Sequence, residues 1–206
     1  MHVDRQFADA LASSAPTPGG GGASAYVGAL AAALAQMVAN LTIGKPGYEH
    51  LDGQLKETLL SLRQCQDILL DLVHEDAEAF NALVATWRMP KETPQQLRRR
   101  REAEEKALCG ACEIPLKTMR VCAKVIELLD LLAHKGSHLV VADAGASAML
   151  AKGALKAASL NVYINTSMMH DAAVADGFEA EADDLVSTFG YQADVIFDYV
   201  LHEVKR

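Results

Sequence analysis

Residues 23–43, ASAYVGALAAALAQMVANLTI, constrain the fold more than any other stretch of this chain. Small residues recur there every three or four positions: Ala25, Gly28, Ala29, Ala32, Ala33. That spacing is helical, and a face so poor in bulk lets a second helix backbone approach closely. The uncharged run, Ala23 to Gly44, is long enough to cross a bilayer. It nevertheless carries Gln36, Asn40 and Thr42, and its flanks lack the basic and aromatic anchors of a span. A buried helix in a bundle is the expected reading. A second such segment, ASAMLAKGALKAASLNVYINTSM, occupies residues 146–168.

Between these segments the pattern is amphipathic. From Leu51 to Arg88, apolar residues repeat at Leu55, Leu59, Leu62, Leu69, Val73, Phe80, Leu83 and Trp87. Thr93 before Pro94 marks an N-cap and first-turn proline. Pro115 should bend or restart the helix that then runs to about His134. A last amphipathic helix is expected from about Phe178 to Val204, and a short one over residues 3–14. The one strand-like tripeptide, Leu139 to Val141, is too short for a sheet. With 206 residues, 50% of them hydrophobic, the chain can bury a sizeable core. The expectation is all-α: one helical-bundle domain over residues 1–206, with long amphipathic helices and Ala/Gly-rich buried ones.

A formal charge of −8 argues against nucleic acid as a main partner. No apolar core of signal-peptide type opens the sequence. A cytoplasmic protein with no membrane partner is therefore expected. The flat Ala/Gly-rich faces suit a twofold homodimer. Cys65, Cys109, Cys112 and Cys122 offer a single C-x-x-C on a helix, which reads as reduced thiols. His134 and His138 are interrupted by Gly136 and lack a third ligand, so no metal is expected. Arg98 to Arg101 read as a solvated face balanced by acidic neighbours.

Asp76 is the most informative residue. It falls in or beside the apolar stripe of the long helix, where a carboxylate is costly unless bonded. Desolvation there would raise its pKa and suit it to proton transfer, although a helix-capping or ion-pairing role explains the position equally well. Glu75 and Glu78 lie off the stripe and should be solvated. The run Gly19, Gly20, Gly21, Gly22 opens a helix; taken alone it reads first as a tight turn, since glycine permits backbone angles closed to other residues, but its N–H groups can also hold an anion or a polar ring edge. Lys45 and Tyr48 follow the first Ala-rich helix and could meet a ligand carboxylate and a flat ring. Asn161 and Asn165 share one face of an apolar helix, so their amides need partners: a heterocycle edge, each other or another helix.

These pieces in this order resemble the cyclodeaminase domain of the formiminotransferase-cyclodeaminase family, and within it the stand-alone bacterial methenyltetrahydrofolate cyclohydrolases. The segments that carry the resemblance are SSAPTPGGGGAS, MVANLTIGKPGY, EDAEAFNAL with MPKETP, IPLKTM, and DAGASAML with SLNVYIN. The resemblance implies an all-α homodimer with no metal and no tightly held cofactor, acting on a tetrahydrofolate derivative as substrate. It implies that Asp76 transfers the proton, that Gly19–Gly22 and the Lys45 segment form the pocket, and that Asp143, Asn161 and Asn165 are site residues. Hydrolysis of 5,10-methenyltetrahydrofolate to 10-formyltetrahydrofolate is the expected activity. Closure of formiminotetrahydrofolate with loss of ammonia is the alternative, and a non-catalytic folate-binding helical module is a further one.

Overall fold

The computed structural model describes residues 5–205, and no strand occurs among them. Six α-helices do: α1 (Arg5–Leu11), α2 (Gly20–Asn40), α3 (Asp52–Trp87), α4 (Pro94–Lys135), α5 (Val141–Thr166) and α6 (Ala172–Val204). One hydrophobic cluster draws on α2 through α6. The all-α expectation holds. Helix α5 packs on α2, α4 and α6, and α3 packs on α2 and α4.

Each Ala-rich helix is central because its side chains are small. Ala25, Ala31, Ala32, Ala35 and Ala39 of α2 are fully buried, as are Ala144, Ala148, Ala151 and Ala158 of α5. Bulk comes from the partners: Leu55, Leu62 and Leu69 of α3, and Leu116, Ile126, Leu129 and Leu132 of α4. Small faces against large ones give close packing without voids. Helix α2 is long and apolar enough to cross a membrane, yet it lies against α3, α4 and α5. Ser147 of α5 donates from its hydroxyl to the Ala31 carbonyl of α2 at 2.8 Å, pinning the two Ala-rich helices together.

Three features differ from expectation and two agree. Helix α1 is short and exposed, held by Phe7 against Tyr26 with ring centroids 4.8 Å apart; positions 3 and 4 of its expected span lie outside the described residues. Leu139 to Val141 forms no strand, as expected: Leu139 and Val140 lie in a 3-10 turn and Val141 starts α5. Helix α6 begins six residues before Phe178, because the Asp171 carboxylate accepts from the N–H groups of Ala173 and Val174 and caps it. Pro115 does not restart its helix: α4 runs unbroken through it for 42 residues. The start of α4 is as expected, a Thr93–Gln96 capping box with Pro94 in the first turn.

Candidate functional site

A cavity of about 380 Å³ opens where the first turn of α2 meets the later halves of α3 and α5. Its polar lining comes from Gly19–Gly21, Asp76, Asn161 and Asn165. Its apolar wall includes Phe80, Leu83, Trp87, Ile164 and Met168. A mostly apolar cavity of this size with a few convergent polar groups is what a small-molecule site looks like.

The glycine turn and Asp76 are built around each other. Helix α2 starts at Gly19 with no side chain to cap it. Asp76, one helix away, supplies the missing acceptor: its Oδ2 takes the Gly22 N–H at 2.9 Å. Its Oδ1 fills the space beside Gly21, where a Cβ would lie 2.0 Å from that oxygen and 2.5 Å from Cγ. Gly21 is therefore glycine because the carboxylate occupies the place of its side chain. The expectation of unusual backbone angles in this run is wrong. Among the described residues positive φ occurs at Gly44 (72°) and Gly47 (89°), in the next loop, while Gly20–Gly22 are helical.

Two opposing effects set the charge of Asp76. Burial beside apolar walls raises its pKa above the ordinary 3.8, and the Gly22 hydrogen bond pulls it back. Desolvation is the larger, so the carboxyl holds its proton more readily than an exposed aspartate. Among the described residues no cation bonds it; the site therefore has an acid–base group and an open place for a positive ligand. By contrast, Glu78 is exposed, and half-exposed Glu75 pairs with Lys117 at 3.5 Å.

Both asparagines face the cavity from α5, with different partners. Asn161 Nδ2 donates to the Ala157 carbonyl of its own helix at 3.2 Å. Asn165 Nδ2 crosses to α4 and donates to the Ala111 carbonyl at 2.8 Å.

Lys45, Tyr48 and Asp143 lie elsewhere. Gly20 and Asn40 are the two ends of α2, about 30 Å apart along the helix, and Lys45 and Tyr48 follow the far end. Lys45 Nζ donates to the Ser137 hydroxyl and sits 5.8 Å from the Tyr48 ring centroid. The Tyr48 oxygen accepts the His138 N–H at 3.4 Å. Asp143 is in the first turn of α5, about 27 Å along the helix from Asn161. There a carboxylate also suits the positive end of the helix dipole. Within one chain these three residues do not meet Asp76.

Among the described residues no group of three His, Cys, Asp or Glu gathers to hold a metal. His134 stacks on Tyr199, with ring centroids 4.1 Å apart. The cysteines are free, and burial pushes the Cys112 thiol up to about 12.

Sequence reasoning missed the cavity wall. Phe80, Leu83 and Trp87 read as part of the core stripe of α3, but Phe80 is only half-buried and Trp87 is 42% exposed. The usable signal was their alignment with Asp76 at i+4, i+7 and i+11. Ile164 and Met168 continue the Asn161–Asn165 face in the same way.

The profile of the formiminotransferase-cyclodeaminase family matches residues 4–184. A methenyltetrahydrofolate cyclohydrolase from Methylorubrum extorquens is 39% identical over 97% of this chain and 96% of its own. The mouse formimidoyltransferase-cyclodeaminase is 33% identical over 81% of this chain, which spans only 31% of that longer protein. The solved structure of a formiminotetrahydrofolate cyclodeaminase from Thermotoga maritima superposes with a TM-score of 0.81 at 26% identity, covering 99% of this chain and 96% of the other.

Proposed function

This chain belongs to the formiminotransferase-cyclodeaminase family, and from that premise we propose that it is a methenyltetrahydrofolate cyclohydrolase, converting 5,10-methenyltetrahydrofolate to 10-formyltetrahydrofolate. The likeness to the Methylorubrum enzyme over nearly the full length of both chains supports this reaction over its alternative. The observation that carries the mechanism is Asp76: a half-buried carboxyl with a raised pKa, fixed by the glycine turn at an apolar cavity.

The methenyl bridge is a planar amidinium cation. In the proposed site the Asp76 carboxylate attracts that charge, more strongly than in water because the surroundings are less polar. Water adds to the bridge carbon and gives a proton to Asp76. The adduct's hydroxyl then loses its proton to solvent and becomes the formyl carbonyl. As the bond from carbon to N5 breaks, N5 takes the proton held by Asp76. The carboxylate is restored, and one water is consumed with net release of one proton. The aromatic and aliphatic wall, Phe80, Trp87 and Ile164, suits the flat rings. No cofactor need be tightly held.

The alternative, closure of formiminotetrahydrofolate, would use the same acid to protonate departing ammonia; the Thermotoga neighbour supports keeping it. Assaying both substrates decides. The proposal expects methenyl hydrolysis without ammonia release from the formimino substrate; ammonia release without methenyl hydrolysis would overturn it.

Our reading includes a cytoplasmic twofold homodimer. Its support is the exposed apolar side chains on two packed helices: Leu30, Met37 and Leu41 at α2, and Leu160 (68% exposed) and Ile164 (60%) of α5. Large apolar side chains left exposed on neighbouring helices are what a second copy can cover. An antiparallel, twofold pairing on this face would bring the Lys45, Tyr48 and Asp143 end of one subunit beside the glycine end of its partner. That arrangement gives these three residues a place at the folate.

A further inference from the structure

Helix α4 carries a proline at its middle, and Pro115 is buried. Proline has no N–H to give to the carbonyl four residues back, and its ring crowds that carbonyl off the helix ladder. The carbonyl concerned is Ala111's. A buried carbonyl without a donor is costly, and this one has found a donor outside its helix: Asn165 Nδ2, at 2.8 Å. Ala111 and Asn165 both line the cavity that holds Asp76. An asparagine amide has a donating end and an accepting end. The bond to Ala111 takes one Nδ2 hydrogen and fixes the rotation of the amide, so Oδ1 is held in one direction as its accepting end.

We propose that Pro115 is a positioning residue: by withholding one helix hydrogen bond, it leaves the Ala111 carbonyl free to lock Asn165 with its Oδ1 available to the cavity. The asparagine then accepts from a ligand group that donates, such as the N–H edge of a flat heterocycle. This ligand assignment rests on the folate reading; the lock itself does not.

The test is a cycle of P115A and N165A, read in two ways. Alanine restores the N–H, so the Ala111 carbonyl is satisfied inside its own helix and Asn165 is released. In thermal unfolding of the ligand-free protein, N165A is expected to lower Tm by roughly 3–8 °C with Pro115 present, since it orphans a buried carbonyl. In the P115A background, the same change should cost less than half as much. In methenyl hydrolysis, P115A should raise KM about tenfold, the worth of one hydrogen bond to a ligand, with kcat changed less than threefold and Tm not lowered. P115A/N165A should be no worse in KM than N165A alone. Equal Tm losses for N165A in both backgrounds would overturn the proposal, as would an unchanged KM in P115A. If P115A does not fold, P115S restores the same N–H and serves the same cycle. Should the wild type fail to turn over the methenyl substrate, the proposed function falls, and the Tm cycle still judges the lock.

Discussion

Gly21→Ala separates the account given for the glycine run from a general need for flexibility. A Cβ at position 21 would lie 2.0 Å from Asp76 Oδ1 and 2.5 Å from its Cγ. Ordinary contact begins at about 3.4 Å, so the carboxylate has to retreat by more than ~1 Å. It has somewhere to go, because Asp76 borders the cavity. The fold therefore survives, but the Gly22 hydrogen bond is lost. Replacing a helical glycine returns roughly 1 kcal/mol of helix propensity. Against this stand the loss of a charge-assisted hydrogen bond, about 1.5–3 kcal/mol, and crowding of about 1–3 kcal/mol. The net is a destabilisation of roughly 2–5 kcal/mol, or a Tm lower by very roughly 4–20 °C for a chain of this size. Activity should suffer more, because a 1 Å misplacement of a reacting group can cost about 100-fold. At Gly22 an added Cβ meets its nearest neighbour at 3.5 Å, and at Gly20 at 3.7 Å. Gly22→Ala and Gly20→Ala should thus keep kcat/KM within a few-fold while Gly21→Ala loses about 100-fold in methenyl hydrolysis. Three alanine variants with equal losses would refute the steric reasoning, and so would a fully active Gly21→Ala.

Asp76→Asn keeps an oxygen for the Gly22 N–H but cannot take a proton. It should lose at least ~100-fold in kcat while folding normally, whereas Glu78→Gln, on an exposed residue, should match the wild type in the same assay. The folded Asp76 pKa is raised, so the group favours the folded state less as pH climbs from 3.8 through that raised value. Asp76→Asn should accordingly raise Tm at neutral pH, with the gain vanishing below about pH 3.8; a Tm deficit at neutral pH would show that the carboxylate is there for stability. As a base, Asp76 must be ionised, so kcat/KM of the wild type should fall on acidification at a pH above the ordinary carboxylate range, as read from a pH–rate profile in inert buffers. If the paired site is right, mixing inactive Lys45→Ala with inactive Asp76→Asn should recover up to about a quarter of wild-type activity through mixed dimers; recovery of none, with dimers confirmed by light scattering, would remove Lys45 from the site.

Asp76 was legible because a carboxylate interrupts a stripe that otherwise reads as core, and burial of charge needs a reason. The asparagine pair was legible on the same ground. The glycine run was visible, but its reason was not: a missing Cβ and a permitted backbone angle leave the same letter in a sequence, and only the facing Asp76 distinguishes them. Phe80 and Trp87 were hidden because the wall of a cavity repeats with the same period as a core. Lys45 and Tyr48 were named for their residue types and Asp143 through family resemblance, and chain position carries no information on which end of a bundle, or which subunit, meets a ligand. The helices were legible from small-residue spacing and capping signals; the early start of α6 was missed because the Asp171 cap lies outside the apolar pattern that marked the helix.

The most direct test of the account is a crystal structure with 5-formyltetrahydrofolate bound. The flat ring system should lie along Phe80 and Trp87, with an Asp76 oxygen within about 3.5 Å of the one-carbon group. A ligand seated away from the glycine turn, its one-carbon group distant from Asp76, would contradict the account.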